Sequence, residues 1–447
     1  MKISMKTKRI TAAMLAASMV LAATACAKEE RQTFTGDKTE EPAYQANLDV
    51  ISPIAYSETD GLNLEPGTYI SIIGKDEASA FWKNVKKGVQ QAEEDLNKTL
   101  GYTGNDKVKV TYNAPAKKEN IDEQVNILDE ELARYPDVVG VASIDADACS
   151  VQFDLATENG IPVIALDSGN NYQGIQCTVK TNNAEAAKTG AYKLADAMGR
   201  TGDILLLVHD SKSETAKERT EAFCAEIEEK YPDVNVAEIL YVDQFEDLKK
   251  QIVEEQYAAS NTSETENTAN AAAGGTEPAS GTAESDTAET QIPAEELAAK
   301  SAELTDEDVI LYYLEKYPNV KGMFGTNDMA TQLGVSALAE KKADHSGNTE
   351  KTENTDKADD SAKAENEQED EILLMGFDAG KAQLDALKNG EISGLIVQNP
   401  FGIGYASVIA AARTVLQAGN EAEVNTGYVW VTKENMESES IRKMLYE

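Results

Sequence analysis

The sequence predicts an α/β protein built as two doubly wound parallel-sheet lobes. From Tyr69 onward, short apolar runs alternate with amphipathic stretches, the pattern of βα units laid on a parallel sheet. The chain from residue 67 on, about 380 residues, exceeds what one core usually holds, so two lobes are expected. Polar residues end one apolar run after another, and in open α/β sheets ligands sit just beyond the carboxyl ends of the strands.

Lys2, Lys6, Lys8 and Arg9 precede an apolar stretch from Ile10 to Ala22, and small residues then lead to a cysteine in Ala23-Thr24-Ala25-Cys26. Residues 1–26 therefore read as an export signal that is removed, since the apolar run is shorter than the roughly 20 residues of a spanning helix. The ending resembles a bacterial lipoprotein lipobox, with Ala23 where that motif most often has Leu. That resemblance implies a lipid on Cys26 and anchorage to the outer face of the cell membrane, or in a periplasm. Residues 27–66 are rich in Glu, Thr and Asp without a sustained hydrophobic period, and a disordered tether is expected there.

The elements follow in order. Thr68 to Ile73 is a strand; Phe81, Val85, Val89, Ala92 and Leu96 then share one helical face with Gly88 among them, leaving Trp82 off that face. Val108 to Tyr112 is the next strand, followed by a helix carrying Ile121, Val125, Leu128 and Leu132. Val138 to Ala142 and Pro162 to Leu166 are two more, separated by a helix. A second series runs through Ile204 to Val208, a helix from about Glu214 to Glu229, Val236 to Val242, Lys321 to Gly325, Ile372 to Phe377 and Leu395 to Val397. Residues 258–291 and 343–370 are dominated by Ala, Thr, Ser, Glu, Asp and Asn; they cannot bury enough apolar surface to offset ordering, and disordered surface insertions are expected.

Composition excludes several functions. A net charge of -38 argues against nucleic acid and anionic lipid surfaces, because phosphate binding needs clustered Lys and Arg. The N-terminus carries no basic helix-turn-helix, so a DNA-binding repressor is excluded as well. Beyond Cys26, Cys149, Cys177 and Cys224 show no CxxC or Cys/His spacing and read as buried free thiols. With only two histidines, His209 and His345, a zinc centre or a Ser/His/Asp triad has little to draw on, although His209 ends a strand. No Asx-rich loop has EF-hand spacing, so neither metal nor cofactor is expected. Gly376 to Lys381 is too short for a P-loop and ends before Ala382 instead of Ser or Thr, and no GxSxG or HExxH occurs. No enzyme is expected.

The residues at the strand ends suit a polyhydroxylated ligand. Phe81 and Trp82 offer flat faces for the C–H side of a sugar ring. Asp167, ending Ile164-Ala165-Leu166, offers two acceptors to neighbouring hydroxyls, or else caps a helix. Arg219 either donates to ring and hydroxyl oxygens or pairs with a Glu on its own helix. Asn327 with Asp328 follows Gly325-Thr326, Asp378 follows Gly376-Phe377, and Gln398 follows Val397.

Taken together, Phe81-Trp82-Lys83-Asn84-Val85-Lys86-Lys87-Gly88, Ile161 to Asp167, Ala216 to Phe223, Phe324 to Asp328, Gly376-Phe377-Asp378 and Val397-Gln398 resemble the type I periplasmic binding proteins of the ribose/galactose-binding group, which share a fold with LacI-type ligand domains. The resemblance spans about Gly67 to the C-terminus apart from the insertions. It implies ring stacking by Phe81 and Trp82, hydroxyl contacts from Asp167, Arg219, Asn327, Asp378 and Gln398, and a loosely matched further stacking ring at Phe245. Ser168 stands where ribose binders commonly carry Arg, which argues against ribose itself but not against a sugar. The resemblance also implies a three-crossing hinge near Thr181-Asn183, Asn399-Phe401 and Asn425-Tyr428. The first lobe would hold residues 67–181 and about 400–426, the second 182–399 and about 427–447. The function expected is a monomeric, lipid-anchored binding protein that delivers a monosaccharide or polyol to an ABC permease. A ligand sensor docking on a receptor kinase or chemoreceptor is the alternative.

Overall fold

The computed structural model describes residues 42–117, 120–272, 292–352 and 371–446. The first apolar runs form β1 (Tyr69–Ile73), β2 (Lys109–Asn113), β3 (Val138–Val141), β4 (Val163–Leu166) and β5 (Ile175–Lys180). The second series forms β6 (Gly202–Val208), β7 (Val234–Tyr241), β8 (Val320–Gly325), β9 (Leu373–Phe377) and β10 (Gly394–Gln398), and two short edge strands, β11 (Glu423–Asn425) and β12 (Tyr428–Val431), complete the set. Every residue of β3, β4 and β10 is buried, as expected of parallel strands covered by helices on both faces.

The lobes are built alike. One sheet has the order β2-β1-β3-β4-β5-β11 and the other β7-β6-β8-β9-β10-β12. All neighbours are parallel except β12, which lies antiparallel on β10 with Gln398 opposite Tyr428. In each sheet the order reverses beside the first strand, which opens a crevice at the carboxyl ends. The sequence reading placed neither β5 nor the edge strands: β5 and β11 carry few apolar positions, and β12, Tyr428-Val429-Trp430-Val431, is apolar but only four residues long.

The chain passes between the sheets three times: from β5 into helix Asn183–Ala197, from β10 into helix Pro400–Val415, and from β11 to β12 through Thr426-Gly427. The crossings are tied to one another, since Thr426 N donates to Lys180 O (3.0 Å) and Asn399 Nδ2 to Thr426 O (2.9 Å). Helix Pro400–Val415 lies against helix Ala80–Leu100 at backbone distance. A Cβ on Gly88 would stand 2.0 Å from Phe401 O, and one on Gly404 2.0 Å from Val85 O, so both glycines are required for this approach.

Residues 42–66 correct the expected tether. Gln45–Asp49 is helical, Leu48, Ile51, Tyr56, Leu62 and Leu64 are buried, and Ser52 exchanges hydrogen bonds with Asn425 (2.8 and 3.0 Å). The apolar residues dock singly onto the first lobe, which leaves no period to read; residues 27–41 lie outside the described residues. The expected insertions are corrected in part: helix Phe245–Ala272 runs past Ala258 and helix Asp328–Thr352 past Ala343, because Ala- and Glu-rich sequence extends a helix already nucleated by packing. Residues 273–291 and 353–370 lie outside the described residues. Cys149 and Cys177 are buried and Cys224 half-buried, all free; burial pushes the first two thiols up to about 11 and about 12.

Candidate functional site

The same turn follows the first strand of each lobe. After β1, Asp76 Oδ1 accepts from Ala78 N and Ser79 N (both 2.7 Å), and Ser79 Oγ caps helix Ala80–Leu100 by accepting from Trp82 N. After β6, Asp210 Oδ1 accepts from Lys212 N (2.7 Å) and Ser213 N (2.6 Å), and Ser213 Oγ caps helix Glu214–Lys230. Burial pushes the Asp210 carboxyl up, but His209, Lys75 and those two amides outweigh it and hold it below its ordinary value. The two turns aim the first helical residues at the cleft: Phe81 and Trp82 from one side, Thr215 and Arg219 from the other.

Asp167 ends β4 and Asp378 ends β9, both with left-handed backbone (φ 56° and 78°). Asp is among the few residues that tolerate this region, and the strain it stores, about 1 kcal/mol or more, is typical of binding sites. The surroundings of the two carboxylates differ. Asp378 accepts from Gln398 Nε2 (2.7 Å), Tyr446 Oη (3.0 Å) and Asp328 N (3.0 Å). Asp167 faces Lys75 Nζ at 3.9 Å, beyond hydrogen-bond reach, and burial raises its carboxyl although Lys75 and Arg219 oppose the shift.

Arg219 is buried and engaged on three sides: Nε donates to Asn183 Oδ1 (2.9 Å), one terminal nitrogen to Thr326 O (2.6 Å) and the other to Gln398 Oε1 (2.8 Å). Its guanidinium lies 4.2 Å over the Phe377 ring. Thr181 Oγ1 also donates to Gln398 Oε1 (3.0 Å), which ties this network to the first hinge crossing. Arg219 thus pairs with neither a Glu of its own helix nor solvent. Asn327 is half-buried, lines the cleft, and its Oδ1 accepts from Ala330 N (2.8 Å).

All seven residues singled out in the sequence, Phe81, Trp82, Asp167, Arg219, Asn327, Asp378 and Gln398, line this one cleft between the lobes. Trp82 and Phe81 exchange the places expected of them: Trp82 is buried with Val85, Val89, Ala92 and Leu96, while Phe81 reaches across to the second lobe. Positions 81 and 82 both fit the helical spacing, so the period did not decide between them. Their rings meet edge to face at 5.3 Å. Phe245 is a correction: it is buried in the second lobe's core with Leu240 and Ile252, not in the cleft. Lys75, Asp76, His209 and Thr215 also line the cleft, and of these only His209 was noted. Lys75-Asp76 directly after Ile72-Ile73-Gly74 was the available signal.

The lobes touch across the cleft. Ser168 Oγ lies 3.3 Å from Thr215 Oγ1, Ala146 N donates to Lys212 O (3.4 Å), and Phe81 meets Tyr446 edge to face at 6.2 Å. A second groove runs past Leu314, Tyr317, Lys321, Lys342 and Ile372, but among the described residues no buried polar side chain lines it. The cleft, with convergent polar groups and two rings, is the better candidate.

The model of the periplasmic binding protein domain family matches residues 70–286 and 285–420. The chain belongs to that family. Solved structures show the same fold for this binding protein. A carbohydrate transporter solute binding protein from Agrobacterium radiobacter, in complex with D-arabinose, is 22% identical over 85% of this chain and 98% of its own, with a TM-score of 0.59. An ABC transporter solute binding protein from Agrobacterium vitis, bound with alpha-D-tagatopyranose, is 20% identical over 85% and 99%, with a TM-score of 0.58. GanP, a glucose-galactose binding protein from Geobacillus stearothermophilus, is 16% identical over 83% and 99%, with a TM-score of 0.57. No curated protein matches the chain.

Proposed function

We propose that this binding protein captures a neutral monosaccharide or related polyol between its lobes, outside the cytoplasmic membrane, and delivers it to an ABC permease. The observation that carries the proposal is the convergence of the strand-end residues of both lobes on one cleft that pairs two aromatic rings with buried hydrogen-bonding groups. Phe81 and Trp82 supply the apolar wall. Lys75 and Asp167, 3.9 Å apart and both buried, supply a donor and an acceptor to the same hydroxyl or to adjacent ones. Arg219 and Gln398 hold each other and Asp378 in place. Sugars bound in similarly folded proteins, D-arabinose and alpha-D-tagatopyranose, support the ligand class.

Phosphorylated sugars and sugar acids are disfavoured. Among the described residues that line the cleft, Asp76, Asp167, Asp328 and Asp378 outnumber Lys75 and Arg219, with His209 beside them, so an added anion would be repelled. Cys26 carries the lipid that holds the protein at the membrane, and the protein acts as a monomer.

Thermal unfolding of the chain begun after Cys26, with pentoses, hexoses, polyols, sugar phosphates, nucleosides and amino acids, tests this reading. Ligand at 100 times its dissociation constant adds about 2.7 kcal/mol of stability. A rise with a neutral sugar or polyol supports the proposal. A rise only with a nucleoside, an amino acid or an anionic sugar overturns the ligand class, and no rise with any compound overturns capture.

A further inference from the structure

The C-terminal residues back the cleft through Asp378. Tyr446, next to the last residue of the sequence, is 5% exposed; its hydroxyl donates to Asp378 Oδ1 (3.0 Å) and accepts from Ala379 N (3.3 Å). Its ring meets Phe81 of the opposite lobe. The segment that brings it there is fixed along its length: Met444 is buried, Ile441 and Leu445 pack against the second lobe's core, and Asn47 Nδ2 donates to Lys443 O (3.3 Å). No hydrophobic period reaches Tyr446 in the sequence, and none of the expected site residues lies beyond Gln398.

We infer that Tyr446 is a positioning residue that couples closure of the lobes to the orientation of the Asp378 carboxylate. Two geometric facts combine. The hydroxyl shares Asp378 Oδ1 with Gln398 Nε2, while Oδ2 takes Asp328 N, so three donors from three parts of the second lobe fix one carboxylate plane. The Tyr446 ring meets Phe81, which reaches across from the first lobe and packs against the second lobe's core. When the lobes part, Tyr446 loses its ring partner and gains water, so its hydroxyl still reaches Asp378 within the second lobe but holds it less firmly. When they close, the ring is trapped and the carboxylate is held. Closure and site geometry are then one event, and the effect falls on ligand escape.

The inference rests on the proposed capture function, and the test separates the two. Tyr446→Phe keeps the ring and removes the hydroxyl; Tyr446→Leu removes both. In the ligand-free protein, amide exchange at Asp328 reads the hold on Asp378 without any sugar. It should quicken at least several-fold in Tyr446→Phe, beyond the change at amides of the second lobe's core, which read the loss of global stability from the same hydrogen bond. With D-arabinose, alpha-D-tagatopyranose or D-fucose, whichever raises the unfolding temperature of the unaltered protein, Tyr446→Phe should bind about ten-fold more weakly, the worth of one hydrogen bond to a charged group. The loss should lie in the dissociation rate, and Tyr446→Leu should lose more. In an Asp378→Asn background Tyr446→Phe should cost far less, because the two act through one contact. Unchanged Asp328 exchange in Tyr446→Phe overturns the inference even if no sugar binds. So does full additivity with Asp378→Asn, or a loss carried by the association rate alone.

Discussion

Asp167 and Asp378 hold the same place in the two lobes, at the end of the fourth strand in each sheet's order, in left-handed backbone, with the amide donating across to the next strand: Asp167 N to Val179 O at 2.8 Å, Asp378 N to Ile396 O at 2.7 Å. Backbone equivalence ends there. Among the described residues three donors hold Asp378, whereas Asp167 faces Lys75 at 3.9 Å without a hydrogen bond. One carboxylate is a structural anchor of the cleft, and on the proposed reading the other is left for the ligand.

Substitution should separate these roles. Asp167→Asn keeps a side chain that tolerates left-handed backbone, so the fold should be unharmed while sugar affinity falls about ten-fold or more, as an ionised acceptor is lost. Asp378→Ala strands Gln398 Nε2, Tyr446 Oη and Asp328 N and imposes backbone strain, so stability itself should fall by about 2 kcal/mol or more, together with binding. Urea unfolding alongside calorimetric titration checks both. Equal stability losses in the two variants would contradict the division of roles.

Burial of Asp167 gives that contrast a pH dependence. Its carboxyl is raised above its unfolded value, first by desolvation, so the folded state binds the proton more tightly than the unfolded chain does. The stability linked to this group is fully present below the unfolded carboxylate value and is lost as pH rises through the raised folded value. Above its raised folded value the ionised Asp167 is therefore a net burden on the fold. There Asp167→Asn should be at least as stable as the parent, and its advantage should shrink as pH falls through the folded value. Sugar binding by the parent should weaken over the same interval, as protonation removes the acceptor. Urea titrations from pH 4 to 8 read this directly; an advantage that grows toward acid would reverse the assignment.

The parallel-sheet strands were legible because each is apolar along its whole length, and the site residues because a single polar side chain ends each run: Asp167 after Ile164-Ala165-Leu166, Gln398 after Leu395-Ile396-Val397. What each does there was not legible. Asp167 and Asp378 read identically, and only tertiary contacts, above all Tyr446 arriving from the far end of the chain, make them different. Residues 45–64 escaped for a related reason: Leu48, Ile51, Tyr56 and Leu62 are buried one at a time against a surface already formed, so no local period records it. Trp82 and Phe81 show the limit from the other side, since two adjacent residues fit one helical stripe and the second lobe decides which of them is core.

At the first hinge crossing, Lys180 at the end of β5 pairs across the lobes with Glu218 Oε1 (2.5 Å), and within its own lobe with Glu423 Oε1 (3.1 Å). Asn183 Nδ2 also donates to Glu218 Oε2 (2.8 Å). The Lys180 side chain is 10% exposed and that of Glu218 29%, so the pair is screened less than a surface bridge. It forms one residue before Arg219, which anchors Gln398, so this inter-lobe ion pair sits beside the group that shapes the cleft. Glu218→Gln keeps an acceptor for Asn183 and removes the charge. Closure should then be weakened by about 1 kcal/mol, which lowers sugar affinity about five-fold and leaves ligand-free stability nearly unchanged. Added salt should weaken binding by the parent and change the variant far less. Titration at 20 mM and 500 mM NaCl distinguishes the cases, conditions chosen so that the Debye length falls from about 20 Å to about 4 Å. Equal affinities for parent and variant at low salt would show that the pair contributes nothing to closure.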